Sequence, residues 1–469
     1  MKLIETVISA VNDALYGYIL IIVLVLAGLY FTVRTRGVQI GMLPEQVRTV
    51  TEKPKEKGGV SSFRSLMVST ASRVGTGNII GVSTALCMGG FGSVFWMWVI
   101  AIIGGASAFV ESTLGQIYKK RGKSESYGGP AYYIEQGLGI KWLAAIFSVL
   151  LILTYGVGFN MLASYNLQST FSGYRFYNAA WTPWVIGGAV AILVAVCLFG
   201  GGRRILSVTG VLVPVMGLLY ILVALVISLM NITSLPAILV RIFREAFDLS
   251  AIFGGFGGSC VMYGIKRGLF SNEAGVGSAP NAAASADVSH PVKQGLTQTL
   301  SVFIDTLLVC SATAFMCMAS GIEPTEALSG APYVQAALAK SLGGVGPIFI
   351  TVSMALFAFT TLVGNLFYVN QAWAHLFRRT PSKLFNYVYY TVAAGLILLG
   401  AGLSANLLWN LADLLMGLMA LINIPVILIL GGQAYRALKD YRRQKKQGLD
   451  PVFRAKDIGI EKPLDYWTE

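Results

Sequence analysis

Charge is what this sequence has least of. Asp, Glu, Lys and Arg make up 12% of its 469 residues while 55% are hydrophobic, against roughly 25% charged in soluble domains. A water-soluble globular class is excluded on that balance. Cysteine is also sparse: Cys87, Cys197, Cys260, Cys310 and Cys317 all fall in apolar runs without paired or metal-type spacing. They read as small buried hydrophobes, not a redox or zinc centre. The two histidines, His290 and His375, stand beside loops with no second His or Cys nearby, so a metal cluster is not expected. No convergent set of acids and bases marks an integral-membrane enzyme, and no cofactor is expected.

What the chain does have is long apolar runs. Taking roughly 20 apolar residues as one crossing, eleven spans are expected: 17–33, 65–88, 94–118, 142–165, 183–200, 208–229, 251–285 (broken), 296–319, 347–374, 384–402 and 408–432. The first, Gly17 to Val33, lacks the basic leader and small-residue cleavage site of a secretory signal, so it is kept as a mature helix. The net charge of +13 is a topology signal. With the N-terminus outside, 27 of the 35 Lys and Arg residues lie in inside segments and five in outside ones. Basic residues resist translocation, so this asymmetry predicts a multi-pass membrane protein with a cytoplasmic C-terminus and removes any need for a nucleic-acid partner.

Two stretches stand apart. Ser72-Arg73-Val74-Gly75-Thr76-Gly77-Asn78 interrupts one apolar span, and 200 positions later Asn272-Glu273-Ala274-Gly275-Val276-Gly277-Ser278 interrupts another. Span starts recur with the same offset. Five spans per unit is an odd number, so the second unit enters from the opposite face. The expected organisation is therefore one transporter domain over 1–469: an extra helix at 17–33, a first inverted repeat at 65–229, a second at 251–432 and a polar, basic extension at 433–469. Paired glycine interruptions in the two halves point to a transporter binding site.

The physical reason is backbone pairing. An unpaired amide or carbonyl in hydrocarbon costs several kcal/mol, so non-helical backbone at that depth survives only around a cavity or ligand. Freed amides at a half-helix start attract anions and freed carbonyls attract cations, which suits a zwitterion. Its carboxylate is expected against the amides of Thr76, Gly77 and Asn78, and its ammonium near Phe270, Ser271 and Glu273, with Gly275 and Gly277 opening the second break. The bland alternative is helix packing, since G-x-G also occurs at 90–92, 137–139, 156–158, 255–257, 344–346 and 400–402. Arg73 has two readings, pairing with Glu273 or snorkelling toward the inner face. Lys266 and Arg267 are placed on a wet outer vestibule. Asp305 and Asp413 are intramembrane acids without an assigned role, and Val276 points weakly to a small pocket.

On Gly75-Thr76-Gly77-Asn78-Ile79, Phe95-Trp96-Met97-Trp98, Gly128-Gly129-Pro130, Phe270-Ser271-Asn272-Glu273-Ala274-Gly275 and Pro280-Asn281-Ala282-Ala283, the chain resembles the alanine or glycine:cation symporter family, from the first helix to about residue 450. The resemblance implies an all-α integral membrane protein of the leucine-transporter type: a 5+5 inverted repeat plus one N-terminal helix, eleven transmembrane helices, two of them discontinuous. It implies import of alanine (L or D) or glycine with sodium as the co-transported ion, in a bacterial cytoplasmic membrane. Carried onto this chain, sodium ligands would be the carbonyls of Ala71 and Val74 with Phe357, Thr360 and Thr361. Neutral oxygens suit a monovalent ion that must later leave, although a Thr hydroxyl can instead bond back to its own helix. Asn78 would bridge ion and substrate, Phe270 and Tyr155 would gate, and Glu111 would satisfy amides of the second broken helix. A proton-coupled carrier of the same fold would titrate Glu273 or Asp305, and a channel is disfavoured because the two breaks form one closed site.

Overall fold

The structure is a computed structural model that describes residues 2–56, 58–122, 125–248 and 259–467. It is all-helical: among the described residues the only β-pairing is two isolated bridges, Val60 with Ala286 and Lys120 with Tyr127. Among the described residues eight helices are long and apolar enough to cross a membrane: α1 (Thr6–Thr35), α4 (Gly92–Ile117), α5 (Lys141–Ser169), α7 (Gly201–Met230), α11 (Pro291–Ala319), α13 (Val345–Phe377), α14 (Lys383–Ala401) and α15 (Ala405–Lys446). A ninth apolar helix, α6 (Thr182–Leu198), is shorter. The two interrupted segments are pairs of half-helices: α2 (Ser62–Arg73) with α3 (Gly77–Gly89), and α9 (Cys260–Asn272) with α10 (Ala279–Ala283). The expected broken span began at 251, and residues 251–258 lie outside the described ones.

Where helices outrun the expected spans, a polar residue has found a partner. The first span is expected from Gly17, yet the helix already runs through Asn12 and Asp13. Asn12 donates to the Asn410 carbonyl (2.8 Å) and Tyr16 to that of Asp413 (2.8 Å), so α15 satisfies what lipid could not. The connector between halves contains an amphipathic helix, α8 (Leu235–Ala246), whose Arg241 pairs with Glu245 and Glu323. The stretch between α11 and α13 holds another helix, α12 (Ala331–Leu342).

The expected polar extension is not a bare tail. Helix α15 runs on to Lys446, and the residues after it fold back onto the body. Asp450 pairs with Lys293 (2.8 Å), Asp465 with Lys120 (2.6 Å), and the Trp467 indole donates to the Gln116 carbonyl (3.0 Å).

Helices α6, α7 and α14 expose Ile192, Leu193, Val211, Val215, Leu218, Val388 and Val392. Such apolar outward faces suit contact with lipid. The half-helices are shielded inside. Gly364 of α13 lets it lie directly on α2, since a Cβ there would come 2.8 Å from the Ser72 amide nitrogen, a close approach typical of membrane helix pairs.

Candidate functional site

The half-helices run antiparallel, and their breaks meet in the interior. Near the start of α2, Ser65 donates to the Ala282 carbonyl of α10 (2.8 Å), while Gly89 at the end of α3 lies against Cys260 and Tyr263 of α9. Each first half opens on a serine cap: the hydroxyls of Ser61 and Ser259 accept from Arg64 and Met262 (3.3 Å each), as N-caps should.

The first break is short. Helix α2 closes with Val74 N–H on the Thr70 carbonyl (2.7 Å), and the next amide, Gly75, donates to the Asn78 side chain (2.8 Å). A π-helical turn over Gly77–Gly81 then carries the chain into α3, a geometry that recurs at functional sites. The second break is longer. Glu273 sits at φ 53, Gly275 at φ 83 and Gly277 at φ 91, conformations that glycine adopts without a Cβ penalty and Glu does not. Its polar backbone is paired by side chains. Gly275 N–H reaches Glu111 Oε1 (3.3 Å), Ala274 N–H reaches Asn272 Oδ1 (3.0 Å), and the Gly275 carbonyl accepts from Asn423 (3.0 Å). Asn423 also donates to Glu111 Oε2 (2.8 Å) and accepts from the Tyr133 hydroxyl. Glu111 thus sits where the sequence reading put it, beneath the second break.

One polar knot ties the breaks together. Asn78 Nδ2 donates to Ser271 Oγ (3.0 Å) and Asp305 Oδ1 (2.7 Å), and Ser271 and Thr306 donate to Asp305 Oδ2 (2.7 and 2.8 Å). Asp305, an acid without a role in the sequence, is the anchor α11 offers to both interrupted helices, and it too lies in a π-helical turn, Phe303–Cys310.

Beside the knot is a closed cavity of about 20 Å³ lined by Thr76, Gly77, Phe270, Glu273 and Thr361, together with Arg73 and Gly75. Five of the expected site residues therefore share one wall, and Asn78 and Ser271 lie just behind it. Gly275 and Gly277 do not face it. A Cβ on Gly277 would meet Pro130 (2.7 Å), Phe147 (2.8 Å) and Asn423 (3.0 Å), so that glycine serves backbone shape and packing. Of the expected sodium ligands, Thr361 Oγ1 lies on the Ala71 carbonyl (3.1 Å), whereas the Thr360 hydroxyl bonds back to Leu356 (3.0 Å) and Phe357 (3.1 Å) in its own helix. Val74 and Phe357 are buried but do not line the cavity.

The two aromatics expected to gate, Phe270 and Tyr155, do not stack on each other. Phe270 stacks on Phe159 (centroids 4.8 Å) and Trp409 (4.9 Å), and Tyr155 is one ring removed, against Phe159 (5.0 Å) and Tyr368 (5.3 Å). Phe159 follows Tyr155 by four residues and so shares its helix face, a spacing that could have revealed it. Arg73 and Glu273 form no ion pair, and Arg73 does not snorkel: it is 2% exposed. On the side of the aromatic layer away from the tail is an open cavity of about 620 Å³ lined in part by Lys266, Arg267, Asn166 and Trp409. Both cations pair with buried Asp413 (3.0 and 3.1 Å), which gives that acid its role.

The chain matches the sodium:alanine symporter family over residues 1–455. It belongs to that family. Its relatives include the amino-acid carrier protein AlsT of Bacillus subtilis (strain 168), 43% identical over 99% of this chain and 98% of the relative. The probable sodium/glutamine symporter GlnT of the same strain is 42% identical over 99% and 96%. The sodium/proton-dependent alanine carrier protein of Bacillus sp. (strain PS3) is 36% identical over 90% and 96%. As a member of the sodium:alanine symporter family this is a multi-pass membrane protein and a cation-coupled amino-acid symporter, not an enzyme.

Proposed function

We propose that the protein imports a small neutral amino acid, alanine above all, driven by sodium through alternating access. The observation that carries this reading is the meeting of two interrupted helices at one cavity that presents peptide groups, the Glu273 carboxylate and the Thr361 hydroxyl together. The fold we infer is the leucine-transporter-type 5+5 repeat, 65–229 against 251–432, with 17–33 as an extra helix, the N-terminus outside and the tail cytoplasmic. Sodium is bound at Ala71 and Thr361, completed by main-chain oxygens of Val74 and Phe357; the Thr360 hydroxyl is spent within its helix. Substrate reaches the site through the larger cavity once Phe270 leaves Gly77, whose missing Cβ would lie 2.8 Å from the Phe270 ring.

Size supports a small substrate. A cavity of about 20 Å³ holds one water by that measure, so even alanine requires the Phe270 ring to withdraw, and a glutamine side chain would have to displace Leu162 and Phe159 as well. Uptake of labelled alanine into proteoliposomes under sodium, potassium or proton gradients tests the assignment. Sodium alone should drive accumulation, and equal uptake without it would end the sodium reading. A proton is the second candidate for coupling, favoured by Glu273 and Asp305, both buried carboxylates beside the breaks; accumulation driven by a proton gradient alone would select it.

A further inference from the structure

Among the described residues, the guanidinium of Arg73 lies at the site without a carboxylate paired to it. The residue is 2% exposed, and one of its nitrogens, Nη1, donates to the Gln298 carbonyl (3.3 Å). Its Nε and Nη2 are buried and have no hydrogen-bond partner among the described residues. Three buried carboxylates, Glu111, Glu273 and Asp305, lie within electrostatic reach of it, yet none forms an ion pair with it. They are already engaged: Glu111 with Gly275 and Asn423, Glu273 with Ser278 (2.6 Å), Asp305 with Asn78, Ser271 and Thr306. A half-satisfied buried guanidinium is costly, and leaving it so is the mark of a group reserved for something that arrives.

Arg73 lines the same closed cavity as Glu273. A basic and an acidic side chain therefore line one space without pairing with each other, and a zwitterion is a ligand that can satisfy both. We infer that Arg73 is a substrate-binding residue: its unpaired Nε–Nη2 edge takes the α-carboxylate of the amino acid, which Glu273 holds by the ammonium. The planar fork of arginine fits a carboxylate bidentately, and it reinforces the amides of Thr76 and Gly77 from the α2 side, the Asn78 amide being taken by the Gly75 carbonyl (3.2 Å). The inference rests on the reading under Proposed function and deepens it. It assigns recognition of the carboxylate to a side chain, in addition to bare peptide groups.

The test is a cycle between protein and ligand, made by competition against labelled alanine on purified full-length protein in sodium. Alaninamide lacks the carboxylate, and lactate lacks the ammonium. In the wild type, alanine should displace far better than either. In Arg73→Gln the preference for alanine over alaninamide should fall by about 10- to 150-fold, the range of one hydrogen bond to a charged group, while alaninamide itself binds as before. Glu273→Gln should instead erode the preference over lactate. A folded Arg73→Gln protein that keeps the wild-type alanine-to-alaninamide ratio overturns the assignment. If that variant does not fold, judged by its elution profile in detergent, Arg73→Lys takes its place: the charge remains but the fork is lost, so the ratio should drop about 10-fold, and an unchanged ratio is equally fatal. A wild type that fails to bind alanine, or any other amino acid, sinks the transport reading instead.

Discussion

The break after Arg73 occupies residues 74–76 and the break after Asn272 occupies 273–278, and they are held in different ways. The longer one is pinned from outside. Glu111 of α4 and Asn423 of α15 bind its amide and carbonyl, and two of its glycines stand at positive φ. The shorter one is closed by its own Asn78, held from α5 by Asn166 on the Thr76 hydroxyl (3.0 Å), and next to it α2 meets α13 through Ser72 on Asn365 (2.6 Å) and Thr361 on the Ala71 carbonyl (3.1 Å). One break is thus a floor fixed through its backbone, and the other is a joint tied through side chains, the proposed sodium ligand Thr361 among them.

If the second break is the fixed one, removing its anchor should have the largest effect of any change here. Glu111→Ala deprives Gly275 and Asn423 of their acceptor and leaves buried donors unsatisfied, at about 1–3 kcal/mol each, so the melting temperature in detergent should fall and uptake should drop by at least 100-fold. Glu111→Gln, which keeps the shape and one acceptor, should recover part of both. A wild-type melting curve for the alanine variant would show that the floor is fixed by something else.

Glycine substitutions separate the two breaks next. Gly277→Ala forces a side chain to φ 91 and into Pro130, Phe147 and Asn423, with strain on the order of 1–3 kcal/mol. Gly75→Ala has no such backbone penalty, but the atoms nearest its Cβ belong to the Thr361 side chain, which must turn aside. The first should lower yield and stability. The second should leave stability near wild type and raise the sodium concentration for half-maximal uptake, and thermal melts beside sodium titrations would distinguish them.

The smallest effects sharpen the joint itself. Thr361→Ala removes the one side-chain oxygen that the described residues place on the Ala71 carbonyl, so half-saturation by sodium should rise about 10-fold, roughly one hydrogen bond's worth. Thr360→Ala should change it less than about twofold, because that hydroxyl is committed to Leu356 and Phe357 in its own helix. A sodium curve shifted equally by both would return Thr360 to the ligand set.

Particular residues show how far the sequence could be read. Gly75, Gly77, Gly275 and Gly277 announced the breaks because glycine and ionisable residues inside an apolar span have few other physical explanations, and Glu111 was legible as a buried acid needing amides. Thr360 and Thr361 were not separable: adjacent helix positions are about 100° apart, and only the placement of α13 decides which one meets α2. Phe159 lay hidden among other aromatics, and Tyr155 took its place in the expected gate.

Hydrophobic patterning by itself determined that this chain lives in a bilayer, where it loses its helical pairing, and which family words it carries, since these follow from local composition and the cost of bare backbone in lipid. Which side chains repair that lost pairing was decided only by the tertiary structure. Asp305, Asn423, Asp413 and the unpaired edge of Arg73 acquire meaning from neighbours more than a hundred residues away, and hydrogen bonding depends on ångström-scale distances that no one-dimensional pattern encodes.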